Sequence, residues 1–334
     1  MNEYDTPASL GTAGLFPMTF GQILDRIYRL MRSNLRLFLG IAAVPSAAFL
    51  VVMLPAIGVM LITVGPQLRG QTGQPAPFLG VLAGISMVIG ELVLLLVFAL
   101  YMPAASYAAT QADLGIRVSF REAYGVGWRR YGRYVWLMIL SALYILVPVA
   151  ACVLAIALGA IVLHFGMGAG SGSDLVVLLI PLGILLYLAV LVYSILIILR
   201  FSLAYPACAA EGLTARASLR RSVDLTRGAK GRIFLVLLVV YAFTYLVTMA
   251  CMAVFFAVGA VGAFAAILSQ VTQGSPAFCI LIGLAVLGYL LIMVACCLFS
   301  YAAFTAALAV IYHDQRLRRD GRLPAPSRTG EDQV

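Results

Sequence analysis

The chain has 334 residues, of which 63% are hydrophobic and 10% charged, and it carries a formal net charge of +9. A chain of this length would ordinarily suggest two soluble domains, but that composition excludes them. The charge does not point to nucleic acid either. The cations sit beside apolar segments, where anionic headgroups attract each by about 1 kcal/mol.

Residues 1–17 read as a cytoplasmic tail; Glu3 and Asp5 are present there and no Lys or Arg, which argues against a cleaved signal. A first amphipathic helix is expected next. Thr19-Phe20-Gly21-Gln22 reads as a capping box, after which Phe20, Ile23, Leu24, Ile27 and Leu30 line one face, with Arg26 and Arg29 elsewhere. Apolar stretches then run over about 35–64, 78–110, 134–165, 175–199, 233–268 and 277–312. Each exceeds the roughly 20 residues that cross a bilayer core. Prolines 45, 55, 103, 148, 181 and 206 are candidate kinks.

The connections alternate between cation-rich and cation-free, and among the Lys and Arg residues only Arg69 falls on the poor side. Cytoplasmic loops keep excess Lys and Arg. The alternation therefore predicts six crossings with both termini cytoplasmic. A second capping box is expected at Ser119-Phe120-Arg121-Glu122, followed by an aromatic stripe of Phe120, Tyr124, Trp128 and Tyr131 beside Arg129, Arg130 and Arg133. A third amphipathic helix is expected near 214–227, with Leu219 and Val223 as a thin apolar face, and Arg216, Arg220, Arg227 and Lys230 sharing a side. Gly228 offers its stop. The last segment leads to a disordered cytoplasmic tail over 313–334, opening on a solvated His313.

Short motifs recur roughly 100 residues apart. Val44-Pro45-Ser46-Ala47-Ala48 returns as Val147-Pro148-Val149-Ala150-Ala151. Tyr101-Met102-Pro103-Ala104-Ala105 returns as Ala204-Tyr205-Pro206-Ala207-Cys208, and Ala204-Tyr205-Pro206-Ala207 again as Ala303-Phe304-Thr305-Ala306. The fold expected is an all-α, polytopic bundle of six transmembrane helices. It would be built as three tandem hairpin units, over about 18–110, 117–210 and 213–312, each preceded by an interfacial amphipathic helix.

Candidate chemistry is sparse. Glu91 is the one ionisable side chain well inside an apolar segment, where it should face the bundle interior, pair, or carry a proton. The six cysteines lie in or at the ends of apolar segments without metal spacing, His164 sits at the outer end of the third segment, and the glycines at 166–172 precede no phosphate-binding lysine. Gly80, Gly84 and Gly90 are candidates for close helix packing. No catalytic residue, metal site or cofactor is expected.

Met18-Thr19-Phe20-Gly21-Gln22-Ile23-Leu24-Asp25-Arg26-Ile27-Tyr28-Arg29-Leu30 resembles the start of the bacterial glycerophosphodiester phosphodiesterase membrane-domain family, with Gln22 where that family prefers Glu. Ala217-Ser218-Leu219-Arg220-Arg221-Ser222-Val223-Asp224-Leu225-Thr226-Arg227-Gly228 resembles its loop before the fifth crossing. Longer members of that family carry a soluble catalytic barrel, which is not expected in the 22 residues that follow the last apolar segment. The resemblance implies an inner-membrane module associated with lipid metabolism, and no catalytic residue carries over.

The leading expectation is a non-enzymatic membrane module that binds anionic lipid headgroups or a partner protein. Its contacts would be Arg26, Arg29, Arg129, Arg130, Arg133, Arg216, Arg220, Arg227 and Lys230 on the cytoplasmic face. A homo-oligomer is compatible with the same surface. The main rival is a small transporter or channel using Glu91, and an intramembrane enzyme ranks third.

Overall fold

The computed structural model describes residues 18–68, 77–166, 172–268 and 276–321. The segments 1–17 and 322–334, Arg69 and the glycines within 167–171 lie outside the described residues, as do the side chains of His164 and Cys279. The elements in chain order are α1 (Phe20–Ser33), α2 (Leu35–Leu68), α3 (Pro77–Asp113), α4 (Phe120–Arg129), α5 (Tyr131–Gly166), α6 (Gly172–Phe201), α7 (Ala204–Glu211), α8 (Ala215–Thr226), α9 (Lys230–Leu268) and α10 (Pro276–Asp320). Among the described residues there is no strand. Six of the helices are long and apolar enough to cross a membrane, the fourth span running from α6 through α7. The chain is a multi-pass membrane protein.

The short helices α1, α4 and α8 stand before the first, third and fifth spans. In α1 the capping box forms: the Gln22 amide donates to Thr19 Oγ1 at 3.5 Å and the Thr19 amide to Gln22 Oε1 at 2.8 Å. The face it buries is Ile23, Ile27 and Leu30, at about 1.5–3 kcal/mol for each fully buried side chain. In α4 only half the expected box is made. The Glu122 amide donates to Ser119 Oγ at 3.2 Å, but the Glu122 carboxylate instead accepts from the Tyr107 hydroxyl at 3.2 Å.

The packed face of α4 is made of its smallest residues. Ala123 and Gly127 are buried, while Phe120 and Trp128 stay exposed. A Cβ at Gly127 would come within 3.3 Å of the Leu100 carbonyl oxygen, so α4 lies against α3 on its smallest residues. Tyr124 reaches past them and donates to the Ile41 carbonyl at 2.7 Å; burial pushes its phenol above the ordinary range and keeps the proton on this donor.

The helices run continuously through Pro103, Pro148 and Pro181. Pro206 is different. It falls in the first turn of α7, just after the Ser202–Leu203 break from α6, where a missing backbone N–H leaves no bond unmade.

Small residues build the core. Ala302, Ala303, Ala306, Ala307 and Ala309 of α10 pack with Ala109 of α3, Ala207 of α7 and the apolar face of α1. Ala104, Ala105 and Ala108 of α3 meet Ile41 and Ala42 of α2. Without a hydrophobic force between helices in lipid, close backbone approach through such residues is what holds spans together. The larger apolar side chains are turned outward along the spans, as at Val81, Val88, Leu146 and Val258, which are all more than half exposed. The buried clusters gather toward the end of the bundle that carries α1, α4 and α8, here called the cationic end.

One expectation is overturned at that end. Residues 313–320 do not open a tail; they continue α10, and His313, Asp314 and Gln315 are buried. The apolar run stops at Tyr312, but charged pairs at helical spacing, Asp314 with Arg318 and Arg316 with Asp320, carry the helix on to a left-handed Gly321.

Candidate functional site

Two acidic clusters organise the cationic end. In the first, Asp113 closes α3 with its carboxylate nearly fully buried. It accepts from Arg26 Nε of α1 at 2.7 Å and from His313 Nδ1 of α10 at 2.5 Å. With a carboxylate on Nδ1, that nitrogen carries the hydrogen. His313 Nε2 has no hydrogen-bond partner among the described residues. The next residue, Asp314, is fully buried and accepts from the Met18 amide at 2.9 Å and Arg318 Nε at 3.0 Å, with Arg232 of α9 at 3.6 Å. Arg318 and Arg232 both also donate to the Met18 carbonyl. The start of α1 is therefore clamped to α9 and α10.

The second cluster joins α7, α8 and α10. Glu211 accepts from the Tyr312 hydroxyl at 2.8 Å and lies 3.2 Å from Arg221 and 3.5 Å from Arg316. Arg221 also bonds Asp320, and these hydrogen bonds hold its guanidinium above the ordinary range. Gly212 then turns the chain with φ +65°, a conformation that disfavours any side chain, and Arg133 Nη1 donates to its carbonyl at 2.7 Å and to that of Leu213 at 3.2 Å. Arg221→Ala is expected to cost about 1 kcal/mol, since all its partners are partly solvated; thermal unfolding in detergent measures it.

These contacts sort the arginines that the sequence had grouped together. Arg26 and Arg133 face inward and build the end of the bundle. Arg130 lies close to Gly212. Arg29 pairs with Asp25 on the exposed side of α1, at 2.6 Å. Lys230 starts α9 half-buried. Arg129, Arg216, Arg220 and Arg227 are exposed and enter no ion pair among the described residues.

Of the four cations expected to share a side, Arg216 and Arg220 lie within α8, Arg227 caps its C-terminus and Lys230 opens α9. The buried side of α8 consists of Ala215, Ser218, Leu219, Ser222, Leu225 and Thr226. Its serines escaped the hydropathy pattern because each satisfies itself on a carbonyl: Ser218 on Thr214 at 2.9 Å and Ser222 on Arg200 at 2.6 Å. The adjoining side, which shares Leu219, fronts an open groove of about 670 Å³ between α5, α6 and α8.

Glu91 is not in the bundle interior. It is exposed on the outward face of α3, in a shallow groove of about 680 Å³ among Met87, Val88, Leu95 and Met138. It has no ion pair among the described residues. A carboxyl facing hydrocarbon is costly, so Glu91→Leu is expected to leave the thermal midpoint unchanged or raise it. A drop would reveal a partner for this carboxyl.

Among the described residues no group of three or more His, Cys, Asp or Glu side chains has a metal-binding arrangement. Cys208 and Cys296 are buried, and Cys152, Cys251 and Cys297 half-buried, all as free thiols. No protein-family model, curated protein or solved structure matches the chain.

Proposed function

We propose that the protein is a non-enzymatic membrane module of the bacterial inner membrane, with its cationic end cytoplasmic and engaged with anionic lipid headgroups. The observation that carries this reading is the division of the arginines. One set is consumed in building the end, while Arg129, Arg216, Arg220 and Arg227 are exposed and unpaired among the described residues, and the rings of Phe120 and Trp128 on α4 are exposed as well. Exposed cations and aromatics together favour the headgroup layer.

The layout further supports three tandem units. Second spans of the proposed units end in acids that receive arginines, at Asp113, Glu211 and Asp320. The repeated small residues Ala104, Ala207 and Ala306 are all buried. Both segments that resemble the glycerophosphodiester phosphodiesterase membrane-domain family dock on the end of α10, through Met18 and Arg221. That favours a module of this kind working in lipid metabolism. A transport route through the bundle would need Glu91 turned inward, and its outward position favours the headgroup reading.

Native mass spectrometry of the whole protein, in detergent doped with phosphatidylglycerol or phosphatidylcholine, tests this. Retention of phosphatidylglycerol is expected to exceed that of phosphatidylcholine, to weaken with salt, and to fall at least tenfold when Arg129, Arg216, Arg220 and Arg227 are all changed to Gln, at about 1 kcal/mol per cation. Equal retention by the variant and the parent would overturn the proposal.

A further inference from the structure

We infer that the groove between α5, α6 and α8 holds one anionic glycerophospholipid, its phosphate on Arg216, Arg220 and Arg200 and an acyl chain along Leu140, Tyr144 and Ile197. This deepens the headgroup reading and rests on it.

The charge balance in the groove comes first. Three arginines line the groove from two helices, Arg216 and Arg220 one turn apart on α8 and Arg200 in the last turn of α6, with Asp224 the one carboxylate in its lining. None of the three arginines is in an ion pair among the described residues, and all are exposed. Planar guanidinium forks match phosphate oxygens two at a time.

The second argument is the change of chemistry along the groove. Beyond the arginines the lining becomes apolar, and Leu140, Tyr144 and Ile197 belong to spans three and four, within Tyr131–Gly159 and Gly183–Glu211. Leu219 and Val223 of α8 continue that surface under the arginines. A free phosphate would leave this lining unused. The volume of about 670 Å³ is in the range of sites that take ligands far larger than one phosphate.

The third is rigidity. Ser222 of α8 donates to the Arg200 carbonyl at 2.6 Å, so the helix bearing Arg216 and Arg220 is tied to the backbone bearing Arg200. Arg133 of α5 holds the carbonyls of Gly212 and Leu213, just before α8 begins. The cationic groups thus start from fixed backbone positions before any lipid arrives, which lowers the ordering cost of binding.

The test uses the full chain in a neutral detergent with a photoreactive phosphatidylglycerol that carries a diazirine on its acyl chain. Adducts are expected on peptides containing residues 140–144 and 197–201, at least tenfold above those from the matching phosphatidylcholine. They should fall at least fivefold in Arg216→Gln/Arg220→Gln. They should also be lost in Val223→Trp, which fills the groove while keeping every cation. For variants that elute and melt like the parent, adducts that persist overturn the site. If phosphatidylglycerol is preferred but its adducts map elsewhere, the groove is wrong and the headgroup reading stands. If no preference is seen at all, both fall. Displacement of the probe by inorganic phosphate at equal concentration would make this a site for a soluble anion and overturn the lipid assignment.

Discussion

Replacing Asp113 by Ala will destabilise the protein by about 3 kcal/mol, and Asp113→Asn will recover part of that loss. The carboxylate is almost completely buried and accepts from both Arg26 and His313, joining α1, α3 and α10 at one point. Removing one partner of a buried pair typically costs 3–5 kcal/mol, because the charge left behind is uncompensated. The lower value applies here, since Arg26 is 27% exposed and can turn to water. His313 cannot; it is 1% exposed and would lose its one bonded nitrogen. Asparagine keeps an acceptor for either neighbour but no charge. Thermal and denaturant unfolding in detergent will read the difference, and an Asp113→Ala protein within about 0.5 kcal/mol of the parent would refute the role given to this cluster.

Gly90→Ala will cost roughly 1–3 kcal/mol, the usual range for overpacking a close contact. A Cβ there would lie 2.4 Å from Val52 Cγ1 of α2, too near for any real contact. Valine in a helix has one strongly preferred rotamer and cannot swing aside at little cost. Pairing the change with Val52→Ala should restore much of the loss, giving a coupling energy of about 1–2 kcal/mol in a double-mutant cycle. Gly80→Ala and Gly84→Ala provide the control. Nothing lies within 4 Å of a Cβ at either position, so both should be neutral or slightly stabilising through helix propensity. A Gly90→Ala protein as stable as the controls would show that α2 and α3 are not in tight contact there.

The six spans were legible because apolar runs of their length have no other use, and the α1 cap because Thr19 and Gln22 are local partners. What was missed depends on contacts between distant positions. His313 follows an apolar run and precedes a charged one, which reads as an exit into solvent; its partner Asp113 is 200 positions away. The clamp on Met18 is likewise made by Asp314, Arg318 and Arg232. A signal for the longer α10 was present all the same. Asp314 and Arg318, then Arg316 and Asp320, stand at helical spacing, with no glycine or proline before Gly321. The packed face of α4 was not legible beside its aromatic stripe, because it is made of Ala123 and Gly127, whose small size allows the close approach. For Glu91 the sequence left direction open: periodicity places a residue in a helix but does not say which side of a lipid-facing helix meets its neighbours.

The clamp between Met18 and the end of α10 also bears on the order in which the protein can be completed. Synthesis proceeds from the N-terminus, so α1 emerges long before the helix that secures it. Until α10 is inserted, Ile23, Ile27 and Leu30 lack the alanine surface they bury against, and Asp113 lacks His313. Two helices made far apart in time, α1 and α10, are thus the ones that close this end, and a nascent chain stalled before α10 would present an open seam to chaperones and proteases of the membrane.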